Sequence, residues 1–305
     1  MQEKIIIAGG SGFFGQALTN YFKKTHEVIV LTRSSSFLKD GVHYQNWGKN
    51  NLEEWAPVLN QAKALINLSG KSINCRFSEK NKKALLDSRI NTTRLLASAI
   101  EHTSTPPKLW INASAGALYN PGNQPNDEYD TTFNNTSFLG KMALAWEEAF
   151  YEKELPQTRK VALRISLILG KNGGVFPVLQ QLTRLRLGGK VGSGNQFISW
   201  IHLYDAIQAV QFIMENTSIE KAVNLSTNEP CSNTYFMSAL RKSLGISIGI
   251  PAPTFGVKIA SFFLRKEPSL LLDSVHFIPK KLNEAGFVFK YKDVNSAFEQ
   301  LNGAN

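Results

Sequence analysis

KIIIAGGSGFFGQALTNYFKKTHEVIVLTR, residues 4–33, decides the fold. Lys4 to Ala8 is a β-branched apolar run of strand length, and Gly9, Gly10, Gly12 and Gly15 crowd the turn that follows. Leu18, Tyr21 and Phe22 then recur at helical spacing before a second apolar run, Val28 to Leu31, ends at Thr32-Arg33. Strand, glycine turn, helix and strand within about 30 residues form a βαβ unit, whose crossover is right-handed and whose strands are parallel.

Working outward, strand-length runs at Ala64 to Leu68, Leu109 to Ile111 and Val161 to Ile165 alternate with helical stretches at Glu79 to Ile100 and Phe138 to Glu152. That alternation predicts an α/β fold with a doubly wound parallel sheet. Residues 120–135 are rich in Pro, Gly, Asn and Asp and follow a strand's C-terminal end, so they are expected as a loop over a ligand crevice. Past Leu169 the chain turns to glycine-rich segments at 170–174 and 188–194 with shorter elements between them. The reading is a nucleotide-binding domain over 1–169, rejoined by 196–228, and a smaller C-terminal α/β substrate lobe from 170–195 and 229–305.

The chain has 305 residues, 43% hydrophobic and 19% charged, which provides a large core and excludes disordered and fibrous classes. Its two cysteines, Cys75 and Cys231, are too far apart in sequence to suggest a disulfide framework or a CxxC zinc site, and no metal centre is expected. The N-terminus passes directly into Ile5-Ile6-Ile7 without signal-peptide features. The most apolar long stretch, Ile246 to Leu264, is interrupted by Gly249, Pro251, Pro253, Gly256 and Lys258. A cytoplasmic protein without a membrane span is expected. The net charge of +10 is scattered over the sequence, so nucleic acid is not an expected partner. Lys258 to Arg265 is amphipathic, offering either a contact surface or, through Ile259, Phe262 and Phe263, a contribution to the small lobe's core.

In the turn, Gly9 permits the tight bend, Gly12 lets a pyrophosphate approach the backbone, and Gly15 lets helix pack on strand. Phe13, Phe14 and the helix N-terminus supply oriented N–H donors. This context predicts dinucleotide binding. An NAD site needs an acid at the end of the second strand to accept from the ribose 2′-OH, and Thr32-Arg33-Ser34 stands there instead. Arg33 is suited to a 2′-phosphate, which selects NADP. Leu68, Ser69 and Gly70 end a later strand and are small enough to let backbone approach the cofactor; Asn67 beside them is either part of that approach or structural.

GGSGFFG, LTRS, Ile66-Asn67-Leu68-Ser69-Gly70 and Ser88-Arg89-x-Asn91-Thr92-Thr93-Arg94 resemble the short-chain dehydrogenase/reductase superfamily, in its atypical or extended NAD(P)-dependent epimerase/dehydratase branch. More narrowly, the chain resembles the SDR39U1-like (YfcH-type) epimerase family. The stretches that carry this are Ser114-Ala115 with Tyr119, residues 164–170 with Gly173-Gly174, residues 192–202, Val223 to Ser226, and Pro279 to Leu282 with Ala285-Gly286-Phe287. The resemblance implies a Rossmann domain, NADP(H) use and a distinctive short C-terminal domain. It also implies a catalytic set of Ser or Thr, then Tyr-x-x-x-Lys. Ser114 matches the first position and Lys141 the last, where Lys141 would also hold the nicotinamide ribose or else be a surface lysine. Ser137 stands where the tyrosine is expected, and a serine hydroxyl is too weak an acid to replace a phenol. Tyr119 is then either a relocated acid or a ring packed against the cofactor. Trp200 and His202 are candidates for the substrate pocket, each with a core or hydrogen-bonded structural role as its alternative. Asp205 is a candidate cap for a helix over 206–214, and Arg89 a candidate crevice residue.

Two readings follow. One is an NADP(H)-dependent oxidoreductase or epimerase acting on a small carbonyl or sugar-nucleotide substrate. The other is a catalytically degenerate NADPH-binding sensor that acts through a protein partner. A homodimer is left open, with no interface located.

Overall fold

The computed structural model describes residues 2–48 and 51–303. β1 (Lys4–Ala8), α1 (Phe13–Phe22) and β2 (Glu27–Thr32) form the opening βαβ unit. β3 (Phe37–Lys39) and β4 (Val42–Asn46) follow, and α2 (Leu52–Trp55) precedes β5 (Ala62–Asn67). The alternation continues through α3 (Glu79–Glu101), β6 (Leu109–Ala115), α4 (Phe138–Tyr151) and β7 (Arg159–Ile165). Beyond these come β8 (Leu167–Gly170), β9 (Gly173–Gly174), α5 (Phe176–Arg184), β10 (Phe197–Ile198), β11 (Trp200–His202), α6 (Leu203–Glu215) and β12 (Lys221–Leu225). The last elements are β13 (Cys231–Ser232), α7 (Asn233–Ser243), α8 (Thr254–Phe263), α9 (Ser269–Leu272), α10 (Lys280–Glu284) and α11 (Val294–Asn302).

The main sheet runs β12-β7-β6-β5-β1-β2-β4-β3, and every neighbouring pair is parallel except β3 with β4. The fold is therefore an α/β Rossmann doubly wound sheet. From β1 the chain builds outward through β2 and β4, then returns to place β5 on β1's other side. The strand order thus reverses between β1 and β5, where such sheets open a crevice beyond their carboxyl ends.

Both faces of the sheet are covered, which explains why β1 and β2 read as continuous apolar runs. Ile5, Ile7, Val28, Val30 and Ile66 pack against Phe14, Leu18 and Phe22 of α1 and Ala206, Val210 and Ile213 of α6. Ile6, Ile29, Leu31 and Leu65 pack on the other side with Leu96, Trp110 and Phe150. A separate core joins Leu169, Phe176, Phe236 and Phe298 around Trp200.

Two expectations are corrected here. Trp200 is fully buried in that core, and its indole N–H donates to the Glu229 carbonyl at 3.1 Å. A ring without exposed surface cannot line a substrate pocket. On α8 only Val257 and Ser261 are buried, while Ile259, Phe262 and Phe263 are exposed and fill no core. Among the described residues no helix is long and apolar enough to cross a membrane.

Trp200→Ala is expected to cost about 3–5 kcal/mol through lost transfer energy and the cavity left behind. Denaturant unfolding followed by far-UV circular dichroism measures this, and a midpoint equal to wild type would contradict the core assignment.

Candidate functional site

Gly9 follows β1 with φ +82°, a left-handed conformation that L side chains rarely adopt. A Cβ at Gly9 would lie 2.6 Å from the Leu68 carbonyl carbon, and one at Gly15 would lie 2.3 Å from the Gly9 oxygen. These two glycines thus let the turn close on the end of β5 and on α1. Gly12 differs. It has an ordinary φ of −75°, and a Cβ there would meet only the Gly9 oxygen at 3.4 Å. The chain itself does not require a bare backbone at Gly12, so the space above it is available to a ligand. Gly12 is the N-cap of α1 and no side chain caps that helix, leaving N-terminal N–H groups without side-chain partners. This cradle of backbone donors and missing side chains fits a dinucleotide's pyrophosphate.

Phe13 and Phe14 sit at the start of α1, but their rings are committed elsewhere. Phe13 packs on Gly170 and Gly173, where a Cβ would come within 2.5 and 2.4 Å of its ring, and on Gly174, and Phe14 is buried in the core. Only their backbones face the cradle's task. At the end of β2, the Thr32 hydroxyl accepts from the Ser34 N–H at 3.2 Å. The Asn46 amide holds the carbonyls of Arg33 at 3.2 Å and Ser34 at 2.6 Å. This fixes the backbone while leaving the Arg33 side chain exposed, with no carboxylate paired to it among the described residues. Beyond β5, Asn67 accepts from the Ser69 N–H at 3.1 Å and donates to Asn112 at 2.6 Å. Asn67 is fully buried and shapes the Leu68-Ser69-Gly70 turn from beneath.

The proposed catalytic positions diverge. Ser114, at the end of β6, is buried and donates to Glu147 Oε1 at 2.6 Å. Arg164 holds the same carboxylate with Nε at 2.9 Å and Nη2 at 2.8 Å, and gives Nη1 to the Tyr119 oxygen at 2.8 Å. Tyr119 in turn donates to Asn224 Oδ1 at 2.9 Å. Burial raises the Tyr119 pKa even against the Arg164 cation beside it. Tyr119 is thus a buried side chain whose hydroxyl is bonded on both sides and whose ring is packed against Phe277. The line continues to Glu128, which accepts the N–H groups of Asn224 at 2.8 Å and Lys280 at 3.0 Å.

Ser137 is the N-cap of α4. Its hydroxyl accepts from the Gly140 N–H at 3.0 Å and from the Asn134 amide at 2.9 Å. Its residue type thus answers a helix-capping need. Lys141, in the first turn of α4, is exposed and has no side-chain partner among the described residues. Its ammonium is free to meet a ligand.

His202 is corrected as a pocket residue. It is buried as the N-cap of α6, with Nδ1 accepting from the Tyr204 N–H at 3.1 Å and Nε2 against Gln300 Oε1 at 3.0 Å. Asp205 does not cap a helix: α6 begins earlier, and the carboxylate accepts the N–H groups of Lys290 and Tyr291, each at 2.9 Å.

Glu147, Arg164, Asn224 and Glu128 were not singled out from sequence. The available signal was Arg164, a cation inside the apolar strand Val161-Ala162-Leu163-Arg164-Ile165, which demands a buried partner.

Residues 5–226 match the NAD dependent epimerase/dehydratase family, and residues 252–301 match a domain of unknown function, DUF1731. An epimerase family protein of Staphylococcus aureus strain N315, SA0724, is 31% identical over 303 residues, covering 98% of this chain and 99% of that protein. The epimerase family protein YfhF of Bacillus subtilis strain 168 is 31% identical over 301 residues, covering 97% of each. The crystal structure of human epimerase family protein SDR39U1 with NADPH is 29% identical, covers 98% of this chain and 99% of that one, and superposes with a TM-score of 0.87.

Burial pulls the His202 pKa down to about 4, so between that value and the ordinary 6.5 the unfolded chain binds the proton more readily. His202 thus contributes stability that is present above pH 6.5 and is lost as pH falls toward 4, by about 3 kcal/mol. His202→Asn, which keeps a capping side chain, is expected to lack that part of the pH dependence. Urea unfolding of both proteins from pH 7 to 4 measures the difference, and parallel curves would contradict a buried neutral histidine.

Proposed function

The chain belongs to the NAD dependent epimerase/dehydratase family, and on that premise we propose that it binds NADP(H) and acts on a small carbonyl or sugar-type substrate. The observation that carries this is the cradle at Gly12, where the fold tolerates a side chain and the residue is nonetheless glycine. The preference for NADP over NAD rests on Arg33, which is exposed at the end of β2 where an acid would otherwise bind the ribose. The human relative crystallised with NADPH supports the same choice. Residence in the cytoplasm belongs to the proposal, in keeping with two free cysteines.

Bound NADP(H) supplies a hydride donor or acceptor at its nicotinamide. This chain's part is to hold the pyrophosphate on the N–H groups of α1, to fix the 2′-phosphate with Arg33, and to orient the nicotinamide ribose with Lys141. Ser114 and Tyr119 move no proton here; they hold the ends of β6, β7 and β12 in place.

That last point favours a second reading, in which the protein senses or stores NADPH without turnover. The hydroxyls of Ser114, Tyr119 and Ser137 are all engaged in structural hydrogen bonds. Calorimetric titration with NADPH and NADH, followed by a nicotinamide-absorbance screen over carbonyl compounds and nucleotide sugars, separates the two. Turnover supports the enzyme, saturable binding without turnover across the panel supports the sensor, and binding of neither cofactor rejects both.

Arg33→Ala is expected to weaken NADPH by about 1.5–3 kcal/mol, roughly 10- to 150-fold, with little effect on NADH. Equal losses for both cofactors in the same titrations would remove Arg33 from the 2′-phosphate site. Gly12→Val is expected to fold and melt like wild type yet bind no cofactor, whereas Gly15→Val is expected to lose stability because its Cβ meets backbone at 2.3 Å. Thermal melts and NADPH titration of both variants test this contrast, and unchanged affinity in Gly12→Val would contradict the cradle.

A further inference from the structure

α8 is held to the fold by one narrow face, through Val257 and Ser261, its only buried residues. Phe255, Ile259, Phe262 and Phe263 recur at i, i+4, i+7 and i+8 and so form a stripe on the far side of the helix, each more than half exposed. Leu264, 68% exposed, continues this apolar surface at the helix end. Large apolar side chains scattered singly over a surface need no partner, whereas a contiguous patch of them marks an interaction site.

The charges beside the stripe have one sign. Lys258 stands on its flank and Arg265 follows its end, while the Arg76 guanidinium, from the loop before α3, lies over the Phe262 ring at 5.2 Å. Lys266 donates to the Asn74 carbonyl at 2.9 Å, and Glu267, the first acid after the helix, accepts the Phe77 N–H at 3.1 Å, which fixes the end of α8 on that same loop. The neighbouring backbone extends the pattern. The Ile250 N–H donates to the Arg186 carbonyl at 2.7 Å and the Ala252 N–H to the Lys190 carbonyl at 2.9 Å, so residues 186–190 run beside the segment that leads into α8. Leu185, Leu187, Ile248 and Ile250 are exposed there, as are Arg184, Arg186 and Lys190. Residues 170–195 and 230–266 together have nine Lys and Arg and no Asp or Glu, against a net charge of +10 for the whole chain. The excess positive charge, spread thinly along the sequence, thus falls almost wholly in these two segments.

We propose that α8 and the backbone beside it form a docking surface for a membrane containing anionic lipids. The apolar stripe enters the headgroup region, and the cations around it meet lipid phosphates. Exposed aromatic and aliphatic side chains flanked by Lys and Arg are the composition that holds a helix in that plane. The contact is peripheral, since α8 has 10 residues, about half of what a spanning helix needs. A second copy of the chain fits this surface less well, because a two-fold interface would bring together two patches that carry cations and no acids. The proposal does not depend on what the crevice binds.

Co-sedimentation of the full chain with vesicles of phosphatidylcholine alone, and of phosphatidylcholine with phosphatidylglycerol, tests it. Wild type is expected to bind the anionic vesicles at least about tenfold more tightly than the neutral ones, and to lose most of that preference at high salt. Two double variants, Phe262→Ser with Phe263→Ser and Lys258→Glu with Arg265→Glu, change exposed side chains only. Circular dichroism checks that each is folded, and each is expected to weaken binding to anionic vesicles by at least about tenfold. Wild type that stays in the supernatant with both vesicles, or binds both alike, overturns the proposal, as does anionic binding that either folded variant leaves unchanged. If sedimentation velocity instead shows a dimer that Phe262→Ser with Phe263→Ser dissociates, and wild type leaves the vesicles unbound, the surface belongs to a second copy and the lipid proposal fails.

Discussion

A single ion pair sets the geometry on which the crevice depends. Arg164 is a charged residue next to the C-terminal end of β7, and Glu147 reaches it from α4 with both carboxylate oxygens. Both side chains are largely buried, at 5% and 13% exposed, so the pair exists at a desolvation cost that only close, doubly bonded geometry offsets. Removing one partner would strand the other, typically at about 3–5 kcal/mol. The pair also fixes where α4 lies on the sheet. That placement determines where Ser137 caps the helix, where Lys141 emerges, and where Trp146 offers its ring to Arg89.

The same pair explains why the polar residues near β6 are hydrogen-bonded to one another. Ser114 satisfies Glu147, Tyr119 satisfies Arg164, and Asn224 satisfies Tyr119, so the hydroxyls complete a network that would otherwise contain buried unpaired groups. The free polar groups lie elsewhere around the crevice: the helix N-terminus at Gly12 and the exposed Arg33 and Lys141. All three are suited to hold negative charge.

Much of this was legible in the sequence, and the reasons differ by element. The βαβ opening was plain because glycine spacing and an unbroken Ile5-Ile6-Ile7 run are local signals of a buried parallel strand. β3 escaped because Phe37, Leu38 and Lys39 are all exposed on an edge and show no alternation. β6 extends to Ala115, beyond the Leu109 to Ile111 core, because Asn112 and Ser114 are paired across the fold and so tolerated in a buried strand. His202 and Trp200 could not be placed from sequence, since capping by a histidine and burial of an indole depend on Gln300, Tyr204 and Glu229, partners set by tertiary contact. Ile259, Phe262 and Phe263 misled for the opposite reason: apolar spacing on a helix indicates burial only where another element covers that face.

Glu128 has a consequence for the polar segment 120–135. A connection of this length without regular structure ordinarily retains many conformations. Here Asn126 is bonded through its backbone N–H and its amide to the His276 carbonyl, and Glu128 to the N–H groups of Asn224 and Lys280. The segment is thereby split into two short arms, and its entropy is lost when the protein folds. A ligand entering beside it meets a wall already in place, so its binding free energy is not spent on ordering that wall.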